Sequence, residues 1–247
     1  MNSVAIVTGG SRGIGRATAL AAAKRGYKVV VGYASNKAAA DEVVATIEAS
    51  NGKAIAVKCD VGVEADILHL FKEADKFGKL GALVNNAGVV DKTARVDEMS
   101  AERLVRMMNI NVVGSILCAR EAVKRMSTTH GGAGGVIVNI SSVAATLGSP
   151  GLYVDYAASK GAIDTFTVGL AREVSTEGIR VNAIRPGLID TDIHASGGEP
   201  DRAHRLAHIV PMKRVGTADE IANAVVWLMS DEASYVTGTI FDVSGGR

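Results

Sequence analysis

The chain has 247 residues, 47% of them hydrophobic, and its 27 Lys and Arg offset 26 Asp and Glu to a net charge of +1. That near balance, with basic residues scattered and not interleaved with aromatics, excludes a broad electrostatic pull toward nucleic acid or anionic membrane. The apolar content suffices for one large core, and no apolar run approaches the ~18 residues of a membrane span.

Short β-rich apolar runs alternate with longer segments of helical period. The first run starts at Val4, so no leader is expected ahead of it and a cytoplasmic protein is expected. Strands are predicted at residues 4–8, 28–32, 54–59, 82–85, 135–141, 180–185 and 239–243. Helices are predicted at 14–25, 37–50, 64–77, 101–127, 153–176 and 218–230, the last opened by the capping-box spacing of Thr217 and Glu220. Cys59 and Cys118 each lie in an apolar stretch and read as buried thiols of a reducing compartment. The alternation implies an α/β fold: one domain over 1–247, a parallel sheet of about seven strands, and helices on both faces. Such sheets bind ligands at the carboxyl ends of their strands, and each motif below falls there or on a facing helix.

Thr8-Gly9-Gly10-Ser11-Arg12-Gly13-Ile14-Gly15 joins the first strand to the first helix. Glycines permit a tight turn and close approach to a phosphate, and the helix start offers unpaired N–H groups to an anion. Gly9, Ser11, Arg12, Gly13, Ile14 and Gly15 are therefore candidate nucleotide contacts; a loop using glycine only for its turns is the plainer reading. The second strand ends in Tyr33-Ala34-Ser35-Asn36-Lys37, with no carboxylate to hold a ribose 2′-hydroxyl. Arg12, Ser35 and Asn36, with Lys37, could instead surround a 2′-phosphate, which favours NADP over NAD. Asp60 and Val61 follow the third strand, and Asn85-Asn86-Ala87-Gly88 the fourth; small residues there let a flat nucleotide lie on backbone, although the latter could be only a turn.

Asn111 falls within an apolar helical run, Leu104 to Leu117, where a buried amide needs a partner or a role. Ser141 and Ser142 end the fifth strand; either could donate to a substrate oxygen. Tyr156 and Lys160 lie one turn apart on one predicted helix face. An ammonium beside a phenol lowers its pKa and makes a possible general acid/base. Tyr153 is a rival that lacks a lysine four residues on. Pro186, Gly187, Ile189 and Thr191 follow the sixth strand. Residues 190–212 then change to a polar segment with Ser196-Gly197-Gly198, a candidate substrate lid. His204 and His208 have the spacing of zinc ligands but lack a third ligand, so no metal site is expected.

Taken together and in this order, the motifs resemble the short-chain dehydrogenase/reductase family. The likeness spans essentially the whole chain and falls in the single-domain branch, near bacterial 3-oxoacyl-carrier-protein reductases and glucose 1-dehydrogenase-like oxidoreductases. It implies a doubly wound Rossmann-type sheet and an NADP(H)-linked oxidoreductase acting on a small carbonyl or alcohol substrate. It assigns a catalytic tetrad to Asn111, Ser142, Tyr156 and Lys160. Tyr156 becomes the general acid/base, Ser142 the holder of the substrate oxygen, and Lys160 the group that lowers the phenol pKa and binds the nicotinamide ribose. Asn111 would link Lys160 to solvent. Asn86, Ala87 and Gly88 match the family's Asn-Asn-Ala-Gly, and Pro186 through Thr191 the segment holding the carboxamide. The family also implies a homotetramer built on the helices around Asn111 and Tyr156. The loop Gly148-Ser149-Pro150-Gly151-Leu152-Tyr153 is slightly longer than in the bacterial 3-oxoacyl reductases, so sugar or polyol and 3-oxoacyl thioester both remain candidate substrates.

Overall fold

The computed structural model of the chain describes residues 3–191, 198, 199 and 201–247. Its strands are β1 (Val4–Val7), β2 (Lys28–Tyr33), β3 (Lys53–Lys58), β4 (Leu80–Asn85), β5 (Gly135–Ile140), β6 (Ile179–Pro186) and β7 (Ile240–Val243). All pair in parallel in one sheet, in the order β3-β2-β1-β4-β5-β6-β7. Val, Ile and Ala fill both faces of the central strands because helices cover both. Helices α1 (Gly13–Lys24) and α2 (Lys37–Ala49) pack on one face; α3 (Glu64–Phe77) packs on the other. The strand order reverses between β1 and β4, which opens a crevice at their carboxyl ends.

The predicted helix over 101–127 is interrupted. Helix α4 (Ala101–Met108) passes through a π turn, Asn109–Val113, into α5 (Gly114–Met126). The wider turn holds an extra residue, and Ser115 Oγ donates to the Asn111 carbonyl at 3.1 Å. Gly114 lets the start of α5 approach the third-strand loop: a Cβ there would lie 2.4 Å from the Val61 carbonyl oxygen. Apolar period alone does not register a one-residue insertion. The apolar run also faces two ways. Met107, Cys118, Ala119 and Ala122 are buried, whereas Val105 is 68% and Val113 44% exposed, with Leu104, Met108 and Ile116 also outward. Burial within this chain therefore does not account for that run.

A short helix α6 (Ala144–Leu147) leads to α7 (Val154–Val174) beside β5 and β6. Beyond β6 lie α8 (Arg202–Arg205) and α9 (Ala218–Leu228), which packs on α1. Thr217 and Glu220 form the expected capping box at α9. Cys59 and Cys118 are buried free thiols. Burial pushes the Cys59 thiol up to about 12 and that of Cys118 higher still. Part of the expected lid, residues 192–197 and 200, lies outside the described residues.

Candidate active site

The loop after β1 and the loop after β4 are clasped together. Thr8 Oγ1 accepts from the backbone N–H groups of Asn86 and Ala87, each at 3.0 Å. The Asn86 amide donates to the carbonyls of Thr8 and Gly9 at 2.9 and 3.0 Å. Gly9 adopts φ +62°, and a Cβ on Gly15 would lie 2.2 Å from the Gly9 carbonyl oxygen, so both positions require glycine. Gly13 faces Thr191 across the crevice. No side chain caps the start of α1. Its free N–H groups and dipole therefore point into a cradle that suits a pyrophosphate.

The sites expected around the adenosine ribose sit at the rim. The Gly10 N–H donates to the Gly32 carbonyl at 2.9 Å, which brings the β1 and β2 loops side by side. Arg12, Ser35 and Asn36 are exposed there. Asn36 also caps α2, accepting from the Ala39 N–H at 3.0 Å. Lys37 is turned away from its expected part and pairs with Asp41 at 2.6 Å, one turn on along α2. Asp60 shapes its own turn by accepting from the Gly62 N–H at 2.9 Å, and Val61 is buried against Gly114.

Helix α7 presents Tyr156 and Lys160 to a cavity shared with Ser142, Ile14, Asn86, Gly88, Pro186, Gly187, Ile189 and Thr191. The Lys160 ammonium lies 5.6 Å from the Tyr156 ring centre and donates to the Ile140 carbonyl at 2.7 Å. Burial lowers its pKa to about 8, opposed by the Asp164 carboxylate. Burial pushes the Tyr156 phenol up, opposed by a hydrogen bond with Ser142. Desolvation outweighs the Ser142 hydrogen bond in setting that direction, while the Lys160 ammonium is engaged by backbone. Ser141 also lines the cavity, but its buried hydroxyl donates to the Lys160 carbonyl at 3.2 Å, which leaves Ser142 the better placed of the two. Tyr153 lines the cavity and meets Tyr156 edge to face at 6.4 Å.

Asn111 stands behind this group. Its amide donates to the Val89 carbonyl at 2.9 Å and its oxygen accepts from the Val89 N–H at 2.8 Å. It also donates to Ser159 Oγ at 3.1 Å, and Ser159 donates to the Tyr156 carbonyl at 2.7 Å. Gly88 keeps the space between Asn111 and Lys160 free of a side chain. Arg103 on α4 grips Asp155, the residue before Tyr156, through two hydrogen bonds at 2.8 and 3.1 Å. Sequence reasoning did not find Ser159, the Ile140 carbonyl, or Arg247, which also lines the cavity. Ser159 stands inside the Tyr-Ala-Ala-Ser-Lys run; nothing local marks the other two.

A phenol, a hydroxyl and a low-pKa amine thus converge beside a phosphate cradle, an arrangement able to move a proton to or from an oxygen. A family model described as enoyl-(acyl carrier protein) reductase matches residues 9–247. The chain is 54% identical to the uncharacterized oxidoreductase YgfF of Escherichia coli strain K12, over 99% of this chain and 100% of that protein. It is 41% identical to a 3-oxoacyl-[acyl-carrier-protein] reductase of Synechocystis, over 98% of this chain and 96% of that one. The structure superposes on a short-chain dehydrogenase of Burkholderia cenocepacia in complex with NADP, with TM-score 0.90 and 32% identity, covering 99% and 97% of the two chains.

Proposed function

Since the chain belongs to the short-chain dehydrogenase/reductase family, we propose that it is an NADP(H)-dependent oxidoreductase interconverting a carbonyl compound and a secondary alcohol. The observation that carries this reading is the convergence of Tyr156, Ser142 and Lys160 on the cavity beside the glycine cradle.

A nicotinamide bound in this crevice would supply or accept the hydride. In reduction, Ser142 donates a hydrogen bond to the substrate oxygen and Tyr156 gives that oxygen its phenolic proton. In oxidation, the phenolate takes the proton back. A phenol held high by burial keeps its proton until negative charge develops on the oxygen. Lys160 stabilises the phenolate left behind and binds the nicotinamide ribose; an amine near pKa 8 exchanges protons readily at neutral pH. Asn111 positions this pair through Ser159 and Val89. The α1 start, from Gly9 to Gly15, would hold the pyrophosphate, with Asp60, Val61, Ala87 and Gly88 toward the adenosine and nicotinamide ribose, and Pro186 through Thr191 toward the carboxamide. Exposed Arg12, Ser35 and Asn36, with no carboxylate at the end of β2, support NADP over NAD.

A 3-oxoacyl thioester, as the Synechocystis relative's name states for that protein, and a sugar or polyol are the competing substrates. A non-catalytic NADP-binding sensor is disfavoured by the complete set of Asn111, Ser142, Tyr156 and Lys160. The outward apolar residues of α4 and α5 support a homotetramer, and the two buried free thiols support a cytoplasmic location. Steady-state assays of both substrate classes with NADPH and NADH test the reading. Turnover with NADPH that disappears in Tyr156→Phe, while NADPH binding persists, is expected. Activity confined to NADH overturns the cofactor assignment, and turnover that survives the substitution overturns the acid/base assignment.

A further inference from the structure

Two guanidinium groups stand on the substrate side of the cavity. Arg202 of α8 and Arg247, beyond β7, both line it with Ser142 and Tyr156. The Arg202 guanidinium lies over the Tyr153 ring at 4.8 Å, and Tyr153 touches Tyr156 edge to face. Arg202 is thus one aromatic ring away from the phenol. Its neighbours are committed: Arg205 pairs with Glu199, the carboxylate that also reaches this cavity, and Arg103 with Asp155. Neither Arg202 nor Arg247 has a carboxylate partner among the described residues. Burial lowers the Arg202 pKa, and the positive charges of Arg247 and Arg205 lower it further. A guanidinium nevertheless stays charged. The Glu199 carboxylate in the same cavity is spent on Arg205, so the half-buried Arg202 guanidinium faces the Arg247 guanidinium without an ion-pair partner of its own, an arrangement that an anionic ligand relieves.

We propose that Arg202, with Arg247 beside it, is an anion subsite, and that the substrate is a small carbonyl or alcohol carrying a carboxylate or phosphate a few bonds from the reacting carbon. The proposal rests on Tyr156 being the proton donor. A carrier-bound thioester fits less well, since its phosphate lies at the far end of the pantetheine arm from the keto group. The planar fork of Arg202 would grip two oxygens of the anion, while its face stays on Tyr153.

The test pairs charged and neutral carbonyls assayed with NADPH: acetoacetate against its methyl ester, and dihydroxyacetone phosphate against dihydroxyacetone. The wild-type protein is expected to give at least one charged member a KM about tenfold or more below its neutral partner; which pair responds separates carboxylate from phosphate. Arg202→Ala is expected to raise the KM of that charged member by about 10- to 100-fold with little change in kcat, and Arg202→Lys to recover part of the preference. Calorimetric titration of the same anions into the NADPH-loaded Tyr156→Phe protein reads the subsite without turnover. Equal use and equal binding of charged and neutral members overturns the subsite while leaving the proton donor intact. Anion binding that needs Arg202, without turnover of any carbonyl by the wild-type protein, supports the subsite and overturns the catalytic reading. Absence of both turnover and anion binding overturns both.

Discussion

Behind Tyr156, toward the sheet, Lys160 donates to Ile140, Asn111 closes a two-way contact with Val89, and Arg103 holds Asp155. In front of it, Arg202 rests only on an aromatic face and Arg247 has no carboxylate partner among the described residues. In the first region the Asn111 amide and the Arg103–Asp155 pair find their partners within the chain, as a buried network must if it is to hold a fixed geometry. The second leaves charge unanswered, which suits a surface completed by a ligand. The contrast teaches where rigidity is needed: the proton donor must not move, while the substrate side must remain open to what it binds.

Substitutions can break each side of that comparison. Tyr156→Phe should have the largest effect, lowering kcat by about 10³-fold or more while a fluorescence titration finds NADPH binding unchanged. Asp155→Asn should follow, because it leaves Arg103 in a site where its side chain is only 12% exposed. A loss of about 3–5 kcal/mol in denaturant unfolding is expected. Gly15→Ala should cost about 1–3 kcal/mol and weaken NADPH binding, since its Cβ would strike the Gly9 carbonyl. A smaller effect is one of pH. Lys160 has a folded pKa near 8 against 10.5 for the free group, so the unfolded chain binds more protons between those values. The Lys160 contribution to stability should therefore rise with pH from about 8, but the raised pKa values of Cys59 and Cys118 offset it from about pH 9, and that of Tyr156 adds to the fall above pH 10. Lys160→Met should flatten that rise in chemical unfolding scans. Val113→Glu should be smallest in stability, within about 0.5 kcal/mol for one chain, yet should shrink the particle measured by light scattering if α5 packs on another copy.

The sheet and the glycine loop were legible in the sequence because their physics is local. Strands announce themselves by short apolar runs, and only glycine fits Gly9 and Gly15. Tyr156 and Lys160 were legible through their helical spacing. The π turn at Asn111 was not, since an added residue changes the phase of a helix without changing its composition. Nor was the outward facing of Val105 and Val113, because apolar period does not say whether a face meets its own core. Arg247 could not be found locally: it reaches the cavity only through the pairing of β7 with β6. The direction of the Tyr156 shift depended on how deeply the helix is covered, a property of the assembled layers.

Cys59 and Cys118 supply a built-in clock for the molecule's opening. With both thiols covered and held protonated well above physiological pH, an alkylating reagent has nothing to attack while the layers stay closed. Each modified sulfur would record one excursion of the α3–α5 side of the sheet into solvent, so the pace of labelling reads out how often that wall comes apart.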